Sequence, residues 1–555
     1  MTMGIRWAAV LALVSMVGCV TAERAAAPKA ICPRVSATPG VPTDNPVATH
    51  YANTPEAVPA WTEALPWGKV VSIEDFEGSD DDRVAQAQAA AAEMGGGVVY
   101  FPAGTYRFCD HIDLEAGVIL RGESPKGVCS AKNEKYALGT KFVFPRYRPS
   151  MEGSGTPIDV AFKSIRTKDA TAANCGVVNI ATDLCHIYLQ EEEGHKTGTN
   201  RIVFGCLMRN TAAADPWVPN VEYHHQLHQR FTHRHRAAIH VFAARDLFVA
   251  NNRIAKSADY NFMVKPYALL RVLDGKSQGF RIRNGQPYET VTIEEGVEFD
   301  YDNRPGIYAN FFGIGAVGAG HANGTPETHP HGFRKGLIIR DNHVYCSGRS
   351  AIAFTGDGVI CSFNRVVFPK GVIRPTTTGL VCSDGSATND NRALTMRGYR
   401  WHVEGNEYEV HSNMAYGGRI KINDGEGIMH ENHHNSIVKD AKLIGNRGNR
   451  YLCIWAVPVD GVLIKGNTIT AGGAAIHILG RKVSNVTIVE NELTAGGIKV
   501  TSSKGENVRI ENNRYTGAGT QKIIVEDLTW VKANTNLDPV KHVGKQRRKQ
   551  EPKTK

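Results

Sequence analysis

One eight-residue pattern recurs along this 555-residue chain: apolar, any, apolar, any, any, Asn, any, apolar. It is met by LFVANNRI (from 247), LIIRDNHV (337), VICSFNRV (359), WHVEGNEY (401), VLIKGNTI (462), VTIVENEL (486) and VRIENNRY (508). AKLIGNRG (441) meets all but the last position. The alternating start predicts a strand with one buried face, and the Asn falls where the chain must turn. Where nothing is inserted, successive Asn residues stand about 21 to 24 residues apart, the length of one coil of a parallel β-solenoid. Stacking would bring Asn252, Asn342, Asn364, Asn406, Asn446, Asn467, Asn491 and Asn513 into one hydrogen-bonded ladder. A leucine-rich repeat shares the period, but its Leu-rich consensus and helical segments are missing.

A second short strand is expected after each template: SAIAF (350), GLVCS (379), GRIKI (418), YLCIW (451), AAIHI (474) and GGIKV (496). Two strands per coil with an Asn ladder resemble the right-handed parallel β-helix of the pectin-lyase-like superfamily, an all-β fold. DDDRVAQAQAAAAEMGGGVVYFPAGTYRF followed by LEAGVILRGES resembles the opening of pectate-lyase-superfamily proteins, where a helix caps the first coil. A cap is required physically, because an open solenoid end exposes core and unpaired strand edges.

The ends read differently. Arg6 and the apolar run WAAVLALVSMVG, ending at Cys19, form an export signal too short to span a bilayer as a mature helix. MVGC resembles the lipobox of bacterial lipoproteins, in which the Cys is lipidated, and cleavage at VTA is the alternative. The expected organisation is a signal over 1–19, an Ala/Pro-rich tether over 20–65, the β-helix over 66–530 and a basic tail over 531–555. An outer-membrane or cell-surface lipoprotein follows, or a periplasmic or extracellular protein if Cys19 stays unmodified. Membrane attachment would be through the lipid alone, and a monomer is expected. The other ten cysteines contain no CxxC pair, so a zinc-ribbon or thioredoxin site has no support. Cys346, Cys361, Cys382 and Cys453 lie near repeat strands, where Cys acts as a small apolar residue.

A net charge of +9 and a pI near 8.9 point an exported protein toward an anionic glycan or envelope rather than nucleic acid. Aligning the second strands sends Ile420 and Ile422 inward and Arg419 and Lys421 outward. Acidic residues then follow the strand on three successive rungs: Asp357, Asp384, and Asp424 with Glu426. At a rung spacing of about 4.8 Å, their separations of about 5 and 10 Å bracket those of retaining and inverting glycosidases. The same rungs carry the longest insertions, which build cleft walls. RIK resembles the Arg-Ile-Lys element by which polygalacturonases hold the substrate carboxylate, although the NTD and GHG elements of that family are absent. His430, Glu431, His433 and His434 complete the expected substrate contacts, with loop solvation or a metal as their alternatives.

Two further stretches compete. YHHQLHQRFTHRHRAAIH reads as a His-rich loop entering the strand AAIHVFAARD, and GAGHANGTPETHPHGF as a surface insertion. FRIRNGQ, with Lys256 and Lys265 upstream, faintly resembles the Lys and Arg of alginate-lyase-type β-helix enzymes. Three functions therefore stand: hydrolysis of an anionic polysaccharide by Asp424, Glu426, Asp384 and Asp357 with no cofactor; elimination by a Lys, Arg or His base, with calcium as a possible aid; and non-catalytic glycan binding.

Overall fold

The structure is a computed structural model that describes residues 40–144, 164–169, 171–183, 185–189, 198–209, 237–242, 245–254, 267–273, 276–283, 286–292, 312–317, 335–345, 350–368, 373–375, 392–410, 412–416, 419–423, 426–430, 438–455 and 458–542. Side chains are not described for the strands within 267–317, 373–375 and 412–430.

The repeat closes into a three-sided coil. The strand of each template, such as Leu247–Ala250, Leu337–Arg340 and His402–Glu404, stacks in parallel on its counterpart to form a back sheet. The residues after the Asn form a third sheet of twelve strands, among them Arg253–Ile254, His343–Tyr345 and Arg365–Phe368. A front sheet completes each coil. Its core ladder runs Ile165, Ile187, Ile239, Ile314, Ile352, Leu394, Ile428, Leu452, Ile476, Ile498 and Ile523, each in register with the next. This is the right-handed parallel β-helix.

The Asn ladder forms at the turn between the back and third sheets. Asn364 Nδ2 donates to Asn406 Oδ1 at 2.9 Å and to the Ile339 carbonyl at 3.0 Å, and its backbone N–H donates to Asn406 Oδ1 at 3.0 Å. The ladder gains one member beyond the template, Asn534, which accepts from Asn513 at 2.9 Å. The residue before each rung adopts positive φ, as at Asn251, Asp341, Gly405, Gly445 and Asn512. Asn, Asp and Gly tolerate that conformation, which is why they crowd the position.

The helix Asp80–Glu93 caps the first coil, closed at its start by a Ser79–Asp82 capping box. Its Val84, Ala87 and Ala91 join the core of the first coils. The body begins earlier than expected from the Ala/Pro-rich composition. Residues Val47, Tyr51, Leu65 and Trp67 lie over the outer face of the back sheet, against Ile119, Ile202, Phe204 and Phe248. Two of these, Ile202 and Phe248, continue an outward apolar row that water would otherwise meet, so this segment is packed structure rather than tether. The body also ends later than 530, since Leu537–Lys541 adds a last front-sheet strand on Gln521–Val525. Cys361 and Cys453 are buried at 0% and 4% exposure, as expected of small apolar residues. Cys346, Cys382, the signal segment with Cys19, and the tail beyond 542 lie outside the described residues.

Candidate functional site

Chain length singles out the front sheet. The four longest intervals between consecutive coil strands, 255–311, 210–236, 369–391 and 144–163, all fall between the third sheet and the front sheet. The back sheet of the first coils is covered by the N-terminal segment, at Ile119, Ile202, Phe204 and Phe248. On the third sheet the outward row alternates in charge through Arg365, Glu407 and Arg447, and again at Glu492 and Arg514, which pair at 2.6 Å. Alternation of that kind is ordinary solvated sheet surface.

The expected carboxylate cluster is not assembled as the sequence alignment had it. The strand stacked on Ser350–Asp357 is Arg392–Tyr399, not 379–383, and the next is Glu426–His430, not 418–422. Asp357 is therefore in register with Tyr399, while Glu426 is in register with Arg392 at the opposite end of the same strand. At about 3.3 Å per residue those positions lie roughly 23 Å apart, far too distant for one acid–base pair. Asp357 is moreover 4% exposed and ion-paired with Arg400.

Arg419 and Lys421 are corrected likewise. Arg419–Asn423 is not a coil strand but pairs antiparallel with Ser412–Tyr416, Arg419 opposite Tyr416 and Lys421 opposite Met414, in a separate three-stranded sheet with Ile373–Pro375. A hairpin strand alternates just as a coil strand does, so periodicity could not tell them apart. His430 stands in register with Met396 on one neighbouring strand and Ile454 on the other, both 0% exposed. Asp384, Asp424, Glu431, His433 and His434 lie outside the described residues, as do Lys256, Lys265 and 318–333. FRIRNGQ falls in a second inserted sheet, on the strands Lys276–Arg283 and Gln286–Thr292.

What the front sheet does carry was missed. In the first four coils the outward position beside the core ladder is occupied by Asp113, Arg166, Tyr188 and His240, one per coil and in register. Arg166 Nε donates to Asp113 Oδ1 at 2.5 Å. The Tyr188 and His240 rings meet edge to face at 5.0 Å between centroids. One outward position earlier stand His111, Ser164 and His186. The Ser164 N–H donates to His111 Nδ1 at 3.0 Å, which fixes that nitrogen as an acceptor, and the Ser164 hydroxyl lies 3.0 Å from the same atom. Farther along, the row changes to Gly315, Ala353, Thr395 and Met429, then to Cys453, His477 and Lys499. Burial, and then the Lys499 ammonium, hold His477 down at about 4. The polar row could have been found by stacking IDL, SIRT, HIYL and AAIHVF, but these coils lack the Asn template that made the others visible.

Among the described residues no three His, Cys, Asp or Glu side chains converge as a metal site would require. No family model and no curated protein matches the chain. Similar solved structures include the surface adhesin PfbA of Streptococcus pneumoniae, 13% identical over 82% of this chain and 92% of that one, TM-score 0.39. The catalytic unit of a GH87 α-1,3-glucanase from Streptomyces thermodiastaticus is 14% identical over 85% and 68%, TM-score 0.38. An exopolygalacturonase from Thermotoga maritima is 11% identical over 85% and 91%, TM-score 0.30. With its stacked core ladder, Asn ladder and capping helix, the chain has a right-handed parallel β-helix fold.

Proposed function

We propose that the chain is an exported carbohydrate-active enzyme that cleaves glycosidic bonds of an anionic polysaccharide laid across the front sheet. The observation that supports this most is the coincidence, on one sheet, of the polar row from Asp113 to His240 with the corner that receives the longest insertions. Polar side chains on a rigid sheet flanked by long connections are how a solenoid builds a site for an extended polymer.

In the hydrolytic reading, Glu426, on the front-sheet strand Glu426–His430, acts with Asp424 and Asp384 as its candidate partners and with Arg419, Lys421, His433 and His434 as contacts from the insertions. It asks for no cofactor. The eliminative reading uses a base instead of an acid pair, with calcium as a candidate aid. Anchoring through a lipidated Cys19 belongs to the same proposal. Incubation with a panel of anionic polysaccharides decides it. New reducing ends without ultraviolet absorbance mean hydrolysis, both signals together mean elimination, and binding without either leaves a glycan-binding protein. A Cys19→Ser variant that stays in the membrane fraction would remove the anchor.

A further inference from the structure

The alternation of charge on the third sheet breaks down at one end. Read backward from Glu407, the outward row holds Arg365, His343 and Arg253 on three successive coils, with no acid among them. Like charges stacked in register repel, so such a run destabilises the sheet unless something offsets it. His343 offsets part of it, because its Nδ1 accepts from Arg253 and the ring is therefore neutral. Arg209 adds a further cation from the strand before Arg253. Burial first, and then the Arg365 and Arg209 charges, press the Arg253 pKa down against the opposing pull of Tyr345 and Glu134.

Arg253 is 8% exposed and rigidly held. Its Nη1 donates to the Ala131 and Asn133 carbonyls at 3.1 Å each and to His343 Nδ1 at 2.8 Å, and its guanidinium lies 5.7 Å from the Tyr345 ring centroid. Its Nε and Nη2 make no hydrogen bond among the described residues, and neither is enclosed. Arg209 and Arg365 are exposed, and among the described residues none of the three arginines forms an ion pair. The bordering acids do not neutralise them. Asp183, in register with Arg209, pairs with Lys141 at 3.3 Å, while Glu407 and Glu134 make no ion pair with the cluster.

We propose that Arg209, Arg253 and Arg365 form a binding site for a phosphate or sulfate group on the third sheet, separate from the front sheet and independent of the reading given above. Guanidinium forks meet such oxyanions with paired N–H donors. A single carboxylate offers two oxygens and one charge, whereas a phosphate monoester offers three acceptor oxygens and about −1.5 to −2 charge, closer to what three cations can use. Two coil steps put the Arg253 and Arg365 backbones about 10 Å apart, a gap that two long side chains close around one anion. Arg253 is the fixed floor of the site, and Arg209 and Arg365 are its accessible walls.

The test titrates the full chain calorimetrically, at constant ionic strength, with inorganic phosphate, sulfate, glucose 6-phosphate and glucose 6-sulfate, using chloride and glucose as controls. Saturable binding of at least one oxyanion is expected, with none of either control. Arg365→Ala and Arg209→Ala should each weaken it about 10-fold or more with the melting temperature retained, since both side chains are exposed. Arg447→Ala, in the same row beyond Glu407, should leave binding unchanged. Tighter binding of the sugar esters supports the site with a glycan as the source of the anion, and equal binding supports it with a free oxyanion. Wild-type protein that binds none of the four overturns the assignment. So does full binding by both Arg365→Ala and Arg209→Ala, or an equal loss in Arg447→Ala. Cleavage of a polysaccharide, or its failure, bears only on the front sheet.

Discussion

Arg400 donates from Nη2 to Oδ2 of Asp357, and the two side chains differ sharply in exposure, 48% for the Arg and 3% for the Asp. The carboxylate is thus held from the solvent side by a cation at the end of a front-sheet strand, where the chain turns into the back sheet. Such a pair acts on stability. Asp357→Asn replaces a charged acceptor with an amide beneath a guanidinium, at a cost of about 1–3 kcal/mol. A lower denaturation midpoint is expected in urea, with turnover on any active polysaccharide unchanged at temperatures where the variant is folded. Loss of turnover in the folded variant would return Asp357 to the catalytic set.

The Asn ladder makes a graded prediction. Asn406 donates to the Cys361 carbonyl at 2.8 Å and to Asn446 Oδ1 at 3.0 Å, and accepts from both the backbone and side-chain nitrogens of Asn364. Asn406→Ala orphans several buried groups together, each costing about 1–3 kcal/mol. Asn534 stands at the end of the ladder, only partly buried, and donates to the Ile510 and Lys532 carbonyls. Asn534→Ala should therefore lower the urea midpoint far less than Asn406→Ala. Equal losses would mean that the ladder contributes no more than local turn geometry.

That ladder is also where the sequence was most legible. An amide that must both donate and accept along a stack tolerates almost no substitution, so the Asn residues mark the back sheet and its turn one by one. The front sheet makes no such demand. Its inward positions take any apolar side chain, and the hairpin strands Ser412–Tyr416 and Arg419–Asn423 alternate as convincingly as the true coil strand Glu426–His430. Distance from the ladder separates only some of them: Leu394 precedes Asn406 by the same stretch that separates Ile352 from Asn364, but Ile428 stands farther from Asn446. The polar row of Asp113, Arg166, Tyr188 and His240 was illegible for a related reason. Its members are separated by insertions of unequal length, and only the stacking of coils makes them neighbours.

Acid sensitivity follows from the buried imidazoles. His477 is lowered to about 4 by burial and then by Lys499, and His343 to about 3 by burial and then by Arg253 and Arg365. Arg253 Nη1 donates to His343 Nδ1 at 2.8 Å, which an imidazolium could not accept. Both folded values lie below the ordinary 6.5, so the unfolded chain binds protons that the native chain refuses. The stability this gives is complete above about pH 6.5 and is lost as pH falls toward 4, on the order of 1–3 kcal/mol for His477. His477→Gln should flatten the melting temperature between those limits relative to wild type. An unchanged slope would place the acid sensitivity elsewhere.

The N-terminal segment is fastened by one buried cation. Arg121, 0% exposed on the back sheet, donates from Nη1 to the Asp44 carbonyl at 2.6 Å and from Nη2 to Asp44 Oδ1 at 2.8 Å. The segment after Asp44 then covers Ile202, Phe204 and Phe248 with Val47, Tyr51 and Trp67. Asp44→Ala removes the counter-charge but leaves the guanidinium buried, which favours lifting the segment so that water can reach it. Faster amide exchange over 45–67 and binding of an apolar dye are the expected outcomes, with exchange in the front sheet unchanged because the cap and core ladder do not depend on this contact. Protection that stays at the wild-type level across 45–67 would show that apolar contact alone holds the segment, and that Arg121 is satisfied by the Asp44 backbone without its side chain.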